Sequence, residues 1–559
     1  MASGTTTPPV LHGPTAKEKK YDRQLRLWAA SGQAALEEAH LLLVNLGSGV
    51  VGVETLKNLV LPGIGQYTIL DSATVKEEDL GVNFFLDESS LGNSRGQATC
   101  KFLQELNPDV KGHFIAESVE GFISKPQSLK AYSLILVSAP IDPSILSQIQ
   151  QHATETFVPL FYIHSLGFYA HFSLQLPHTW PIVDTHPDPV STTDLRLLKP
   201  WPELLAFVKG KSAGLDDMNA HDHGHVPYLV LLLYYLEEWK KEHEGKVPSV
   251  YKEKNEFRDI VRKGMRSDNA EGGEENFEEA IAAVLKSLNE PTPTSAVKEV
   301  FNAEECKNIT KDCPNFWIIA SAISTFHANT SLLPLPGSLP DMKAQSSDYI
   351  TLQNLYKSKA RADIASVLST VRSLEKELNR QTSIEESEVE AFCKNAGHIK
   401  LIRGRPFHVA KTGEKITWGD RAKTMVNALT DEGSLVLLYI GFLAWDLFCG
   451  GDAEKVPGTH DADGDATTLT QTARGIIAKL LTEADKELEE EELETVHEKV
   501  GQICQELARA GGAELHNISA LTGGLVAQEV IKAITKQYIP VDNTCLFDGV
   551  RSVSSVLKI

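Results

Sequence analysis

The stretch 41–71, LLLVNLGSGVVGVETLKNLVLPGIGQYTILD, constrains the fold more than any other part of the chain. An apolar run ends in Gly47-x-Gly49-x-x-Gly52, a helical pattern follows, and a second apolar run ends at Asp71. Asp71 stands 19 residues after Gly52, close to the ~20 expected of an acid that holds a ribose hydroxyl beside such a turn. Each glycine has its own task. Gly47 allows a tight turn, Gly49 lets a phosphate come close to the backbone, and Gly52 lets the helix pack on the strand. The helix start then offers unpaired N–H groups and a partial positive charge to an anion. The same pattern also suits a plain strand–turn–helix with an empty loop. The flanking strands and the spaced acid favour a Rossmann-like unit.

The alternation of short apolar runs and helical patterns continues to about residue 178. LLLVNL, QYTILD, YSLILVSA and FVPLFYIHS are the strand candidates, and such alternation favours a parallel sheet with crossover helices. From about 180 to 495 the texture becomes helical, as in YLVLLLYYLEEWKKEHE and DYITLQNLYKSKARADIASVLSTVRSLEKELNR. Gly-, Pro- and Asp-rich breaks fall at 268–275, 332–341 and 449–465, and these read as loops. After about 498 the α/β texture returns, ending in a strand near CLFDGV. The expected organisation is therefore 1–178, an inserted helical domain over 179–497, and a return over 498–559.

A net charge of −21 argues against a nucleic-acid partner. The acidic run EADKELEEEELETVHE at 483–498 reads as a solvated helix face, with docking of a basic partner as the alternative. VPYLVLLLYYL and SLVLLYIGFLAW are too short to cross a bilayer and read as buried helices. No membrane role is expected. The start MASGTTTPPVLHG lacks a basic, then apolar, leader pattern. Seven cysteines without a CxxC pair suit a reducing compartment, so a cytoplasmic and nuclear location is expected.

Two clusters invite a metal and are read as ordinary loops. His221-Asp222-His223-Gly224-His225 has zinc-type ligands but precedes Pro227 at a helix start. Asp461, Asp463 and Asp465 resemble the opening of a calcium loop, yet Thr472 stands where the closing Glu belongs. No metal is expected.

The glycine turn is flanked by KYDRQLRLW at 20–28, KNLVLPGIG at 57–65, NFFL at 83–86, FLQELN at 102–107, YKEKNEFRD at 251–259, and GGLVAQEVIKAITKQ at 523–537. Together these motifs resemble the ubiquitin-like-protein activating enzymes (E1), and over nearly the full length the regulatory-subunit branch of the NEDD8-activating heterodimers. The resemblance implies an E1/ThiF-type adenylation fold interrupted by a large helical insertion. The insertion would correspond to a catalytic-cysteine domain without its cysteine, since the family's Pro-x-Cys-Thr-type segment is absent. It also implies a heterodimer in which the catalytic partner binds ATP and magnesium, adenylates NEDD8 and takes it onto its own cysteine.

Against the family's active halves this chain departs at several points. Asp71 matches, but Ala73 replaces a second acid, Gly81-Val82-Asn83 stands for Asn-Arg-Gln, Arg95 falls near a phosphate-binding Lys, and Ala139-Pro140-Ile141 lacks the magnesium acid. A triphosphate needs cations in place as its α-phosphate is attacked. The resemblance therefore implies a silent half: Gly47, Gly49, Gly52 and Asp71 form a relic nucleotide loop, and no cofactor is bound by this chain. It further implies that Arg23 of the Tyr-x-Arg-Gln motif reaches the partner's ATP phosphates. A guanidinium suits that task because it is permanently charged and grips phosphate with two N–H groups. Read without the resemblance, Arg23 is a surface residue pairing with Asp22 or another acid at a helix start. The rival functions are an NAD-dependent oxidoreductase using the glycine loop and a non-enzymatic adaptor derived from the E1 fold.

Overall fold

The computed structural model describes residues 13–125, 127–188, 193–266, 273–450 and 455–559. Nearly all of the N-terminal stretch 1–13 and parts of the expected loops at 268–275 and 449–465 lie outside these. The chain divides into two compact units, one of residues 1–180 and 402–559, the other Pro181–Leu401.

The first unit is built on eight strands: β1 (His40–Val44), β2 (Gln66–Leu70), β3 (Lys111–Ile115), β4 (Leu134–Ser138), β5 (Leu160–Leu166), β6 (Tyr169–Gln175), β9 (Thr544–Asp548) and β10 (Val553–Leu557). Two further strands, β7 (Trp180–Val183) and β8 (Ile399–Ile402), pair where the chain leaves and re-enters this unit. The sheet order is β10-β9-β6-β5-β4-β1-β2-β3. β3, β2, β1, β4 and β5 run parallel, and β6, β9 and β10 continue the sheet antiparallel. Four strands fall on the four apolar runs. β3 and β6 add to them, and β10 follows the expected last strand. β3 is an edge strand with an open, half-exposed face, which explains why its sequence shows no apolar run.

The order 3-2-1-4-5 reverses between β1 and β4, and this is where such folds place ligands. The turn after β1 lies at that point. The backbone N–H of Leu46 donates to Ser138 Oγ at 2.8 Å, tying the start of the turn to the end of β4.

The helix Val50–Val60 packs against the C-terminal helix His516–Thr535. The two backbones come close at Gly523, where a Cβ would lie 2.7 Å from Thr55 N and 2.8 Å from Glu54 C.

The structure differs from the expected return at residue 498. The helices Ala422–Leu429, Val436–Cys449, Ala462–Ala484 and Glu490–Ala510 share one apolar core with Leu166, Tyr169, Leu546 and Leu557 of the sheet. They belong to the first unit because the Val436–Cys449 helix, apolar nearly all round, finds its cover on that sheet. Beneath this helix sits a polar cluster. Asp446 accepts from the Tyr162 hydroxyl at 3.3 Å and lies 3.7 Å from His164 Nδ1. Burial pushes its carboxyl up to about 7. Burial and the neighbouring His171 hold His164 well below the usual imidazole range.

The second unit is mainly helical, with two apolar cores. One gathers around Leu229–Leu233, Phe257, Phe277 and Tyr356, the other around Val297, Ile318, Ile323, Val367 and Val389. Both candidate membrane runs are buried helices, one here and one in the first unit. Among the described residues no helix is long and apolar enough to cross a membrane.

Candidate functional site

The glycine turn adopts the backbone its sequence demands. Gly47 and Gly49 are left-handed at φ 60° and 69°, a region costly for residues with a Cβ. A Cβ on Gly52 would lie 2.9 Å from Leu43 Cδ1, so Gly52 sets helix–strand packing as expected. The open space at Gly49 has another use than the expected one. A Cβ there would come within 2.4 Å of Asn45 Nδ2, so the space beside Gly49 is taken by the chain's own Asn45 side chain.

Asp71, the strand-end acid, is 2% exposed and fully engaged. It accepts from Arg95 Nε at 2.8 Å and Arg95 Nη2 at 3.2 Å. Asn45 Nδ2 and the Ala73 N–H each donate to it at 2.9 Å. Arg95 is 4% exposed, and its Nη1 donates to the carbonyls of Gly47 at 2.9 Å and Ser48 at 3.3 Å. Burial works against the guanidinium's charge, but Asp71 and Asp79 outweigh it and raise its pKa. The guanidinium thus faces the turn's carbonyl side. Both Asp71 oxygens are thus engaged within the chain.

The N–H side of the turn is closed by a residue that sequence reasoning missed. Glu514, 5% exposed, precedes the C-terminal helix. Its Oε1 accepts from Ser48 Oγ at 2.8 Å and Val50 N at 3.2 Å. Its Oε2 accepts from Val51 N at 2.7 Å and Ser519 Oγ at 2.6 Å. These are the first N–H groups of the helix, the ones an anion would use. Burial raises the carboxyl's pKa, opposed by these four donors. No local pattern announces the contact; the only hint is an acid just before a helix start.

The substituted positions are built into their surroundings. Asn83 is buried and accepts from Phe85 N at 2.9 Å, capping its own turn. Beyond Ala139 the nearest acid along the chain is Asp142. It caps the helix Pro143–Thr156, accepting from Ser144 N at 2.7 Å and Ile145 N at 3.1 Å.

Arg23 is elsewhere in the first unit and in a different condition. It is exposed in the first turn of the helix Asp22–Glu38. Its expected surface partner is taken, since Asp22 pairs with Arg26 at 2.8 Å. Among the described residues Arg23 has no hydrogen-bond or ion-pair partner. The turn carrying it is anchored at both ends. Tyr21 is 2% exposed and its hydroxyl accepts from Asn107 Nδ2 at 3.0 Å. Further along, the helix kinks at Trp28 and Ala29, where Gln537 donates to the Trp28 carbonyl at 3.0 Å and Tyr538 to that of Leu27 at 3.2 Å.

Burial moves five of the cysteines away from reactivity. None of the seven forms a disulfide, and all but Cys313 are buried. Burial pushes Cys306 and Cys545 up to about 11, and Cys393 and Cys504 up to about 12. A reactive thiol needs the opposite shift. Among the described residues no group of His, Cys, Asp and Glu is arranged to hold a metal. His223 pairs with Glu274 at 2.7 Å, His225 Nδ1 contacts the His221 carbonyl, and Asp461 caps the helix Ala462–Ala484.

A parallel sheet with a glycine turn at its switch point and an antiparallel extension defines a ThiF-type chain, and the profile of the ThiF family matches residues 21–554. Its relatives are more particular. A Xenopus laevis protein is 37% identical over 97% of this chain and 99% of its own length. One from Danio rerio is 36% identical over 98% and 99%, and one from Drosophila melanogaster 37% over 97% and 98%. Each is named a NEDD8-activating enzyme E1 regulatory subunit. The chain belongs to this family of E1 regulatory subunits.

Proposed function

We propose that this chain is the silent, scaffolding half of a heterodimeric NEDD8-activating E1, working in the cytoplasm and nucleus. Its partner is the catalytic subunit, which binds ATP and magnesium, adenylates the NEDD8 C-terminus and accepts it on its own cysteine. This chain alone activates nothing and binds no cofactor. The inserted helical unit serves as one wall of the NEDD8 groove.

One observation carries the silent-half reading: the acid of the nucleotide turn is already bound, within the chain, by Arg95 and Asn45. Adenylation needs an open site with cations poised at the α-phosphate. Here the cation beside the turn neutralises Asp71 instead. The same occupancy argues against the oxidoreductase reading, which needs Asp71 for a ribose. Arg23 has the opposite character, exposed on an anchored turn and unpaired among the described residues. That suits a group donated across a subunit boundary to the partner's ATP phosphates.

The test is ATP–pyrophosphate exchange with NEDD8. The isolated chain is expected to give none, the catalytic partner to restore it, and the reducible thioester to form on the partner alone. Exchange by the isolated chain, or an adduct on any of its seven cysteines, refutes the proposal.

A further inference from the structure

The Glu514 carboxylate occupies the place of a ligand. The turn Gly47–Gly49 and the helix Val50–Val60, 11 residues long, form an arrangement whose N–H groups favour an oxyanion. In this chain the oxyanion arrives from 463 residues beyond Val51, held by two backbone N–H groups and two hydroxyls. Each carboxylate oxygen receives one N–H and one hydroxyl. The position is sealed by its surroundings: Glu514 forms a bridge with Gly167 beside β6, the neighbouring Ala513 carbonyl accepts from Gly167 N at 2.9 Å, and Ser519 lies one turn into the following helix.

We propose that Glu514 is a built-in substitute for phosphate, and that it is the residue excluding phosphate-bearing ligands from this glycine turn. The acids missing at Ala73 and in Ala139-Pro140-Ile141 bear on catalysis; Glu514 bears on binding. The two losses are separable, because the donors that would hold an oxyanion are all still present. The inference deepens the silent-half reading and rests on it only in taking the natural turn to hold no nucleotide.

Removing the carboxylate converts the plug into a small anion site. In Glu514→Ala, the Val50 and Val51 N–H groups and the Ser48 and Ser519 hydroxyls lose their shared acceptor and face the space it leaves. A buried donor without an acceptor is costly, so an added oxyanion of matching size should be drawn in. Formate matches the missing carboxylate, and inorganic phosphate represents the ligand class.

The experiment uses the full chain, wild type and E514A, with formate or inorganic phosphate titrated at constant ionic strength against chloride. Binding is read by calorimetry and by the thermal midpoint. E514A is expected to unfold at lower temperature in chloride, to recover with formate, and to bind formate and phosphate at least about tenfold more tightly than wild type. E514Q keeps the volume but places an amide N–H2 against a backbone N–H. It is expected to be destabilised and to gain no anion binding, and it provides the comparison should E514A fail to fold. In that event, formate present during refolding should restore E514A. A merely structural Glu514 predicts a loss of stability that chloride and formate leave alike, and that result overturns the inference. Phosphate binding equal in wild type and variant overturns it too, without touching the silent-half reading, which stands or falls on pyrophosphate exchange by the isolated wild-type chain.

Discussion

Replacing Asp446 by Asn should make the protein less sensitive to alkaline pH. The Asp446 carboxyl, on the apolar helix Val436–Cys449, is faced by Tyr162, His164 and Tyr439. Among the described residues its one hydrogen-bond donor is the Tyr162 hydroxyl, and the nearby imidazoles supply no cation, because burial keeps His164 and His171 neutral. Burial moves the carboxyl from 3.8 to about 7, a gap worth about 4 kcal/mol. With 18% of the side chain still exposed, solvent reduces this to about 2–4 kcal/mol. The sign follows from proton uptake: between these values the folded state holds the proton and the unfolded state does not. The contribution is therefore whole below about pH 4, declines as pH rises, and is gone above about 7. Asn is neutral throughout and still accepts from Tyr162. The stability of Asp446→Asn minus that of wild type should thus rise by about 2–4 kcal/mol between about pH 4.5 and 8.5. Urea unfolding followed by tryptophan fluorescence measures this difference, and titrations common to both proteins cancel in it. A difference that stays flat across the range would refute the reasoning.

Two further outcomes are expected. Arg23→Ala should leave the heterodimer assembled but slow adenylation by about 10², the low end for removing one preorganised charge donor, with Arg23→Lys recovering only part; intact assembly with an unchanged exchange rate returns Arg23 to a surface role. The adjacent glycines of the C-terminal helix should respond with opposite signs. Gly523→Ala drives a Cβ against the backbone of Glu54 and Thr55 and should cost about 1–3 kcal/mol. Gly524→Ala meets nothing within 4 Å and should gain up to about 1 kcal/mol from helix propensity. Urea midpoints of the two variants check both.

The glycine turn was legible because its determinants are local. Left-handed backbone at Gly47 and Gly49, packing at Gly52 and the strand ending at Asp71 are all set by residues within one strand–turn–helix. The apolar runs of β1, β2, β4 and β5 and the buried helices at 228–242 and 436–449 were legible for the same reason.

What closes the turn depends on residues that only the tertiary structure brings together. Arg95 could be placed near the family's phosphate-binding Lys from its position, but its bidentate hold on Asp71 appears only once β2 and the helix Arg95–Leu106 are packed. Glu514 stands 463 residues beyond Val51, whose N–H it binds, in no periodic relation to the turn. Its register is set by the C-terminal helix docking through Gly523 onto the helix Val50–Val60. The return of the chain to the first unit at residue 402 rather than 498 has a similar origin: a helix apolar nearly all round states that it will be buried, not against what. Backbone conformation and burial are properties of short segments, so the sequence carries them openly. The pairing of buried charges is settled by which distant segments share a core, and that decided whether this glycine turn meets a ligand or the chain's own carboxylate.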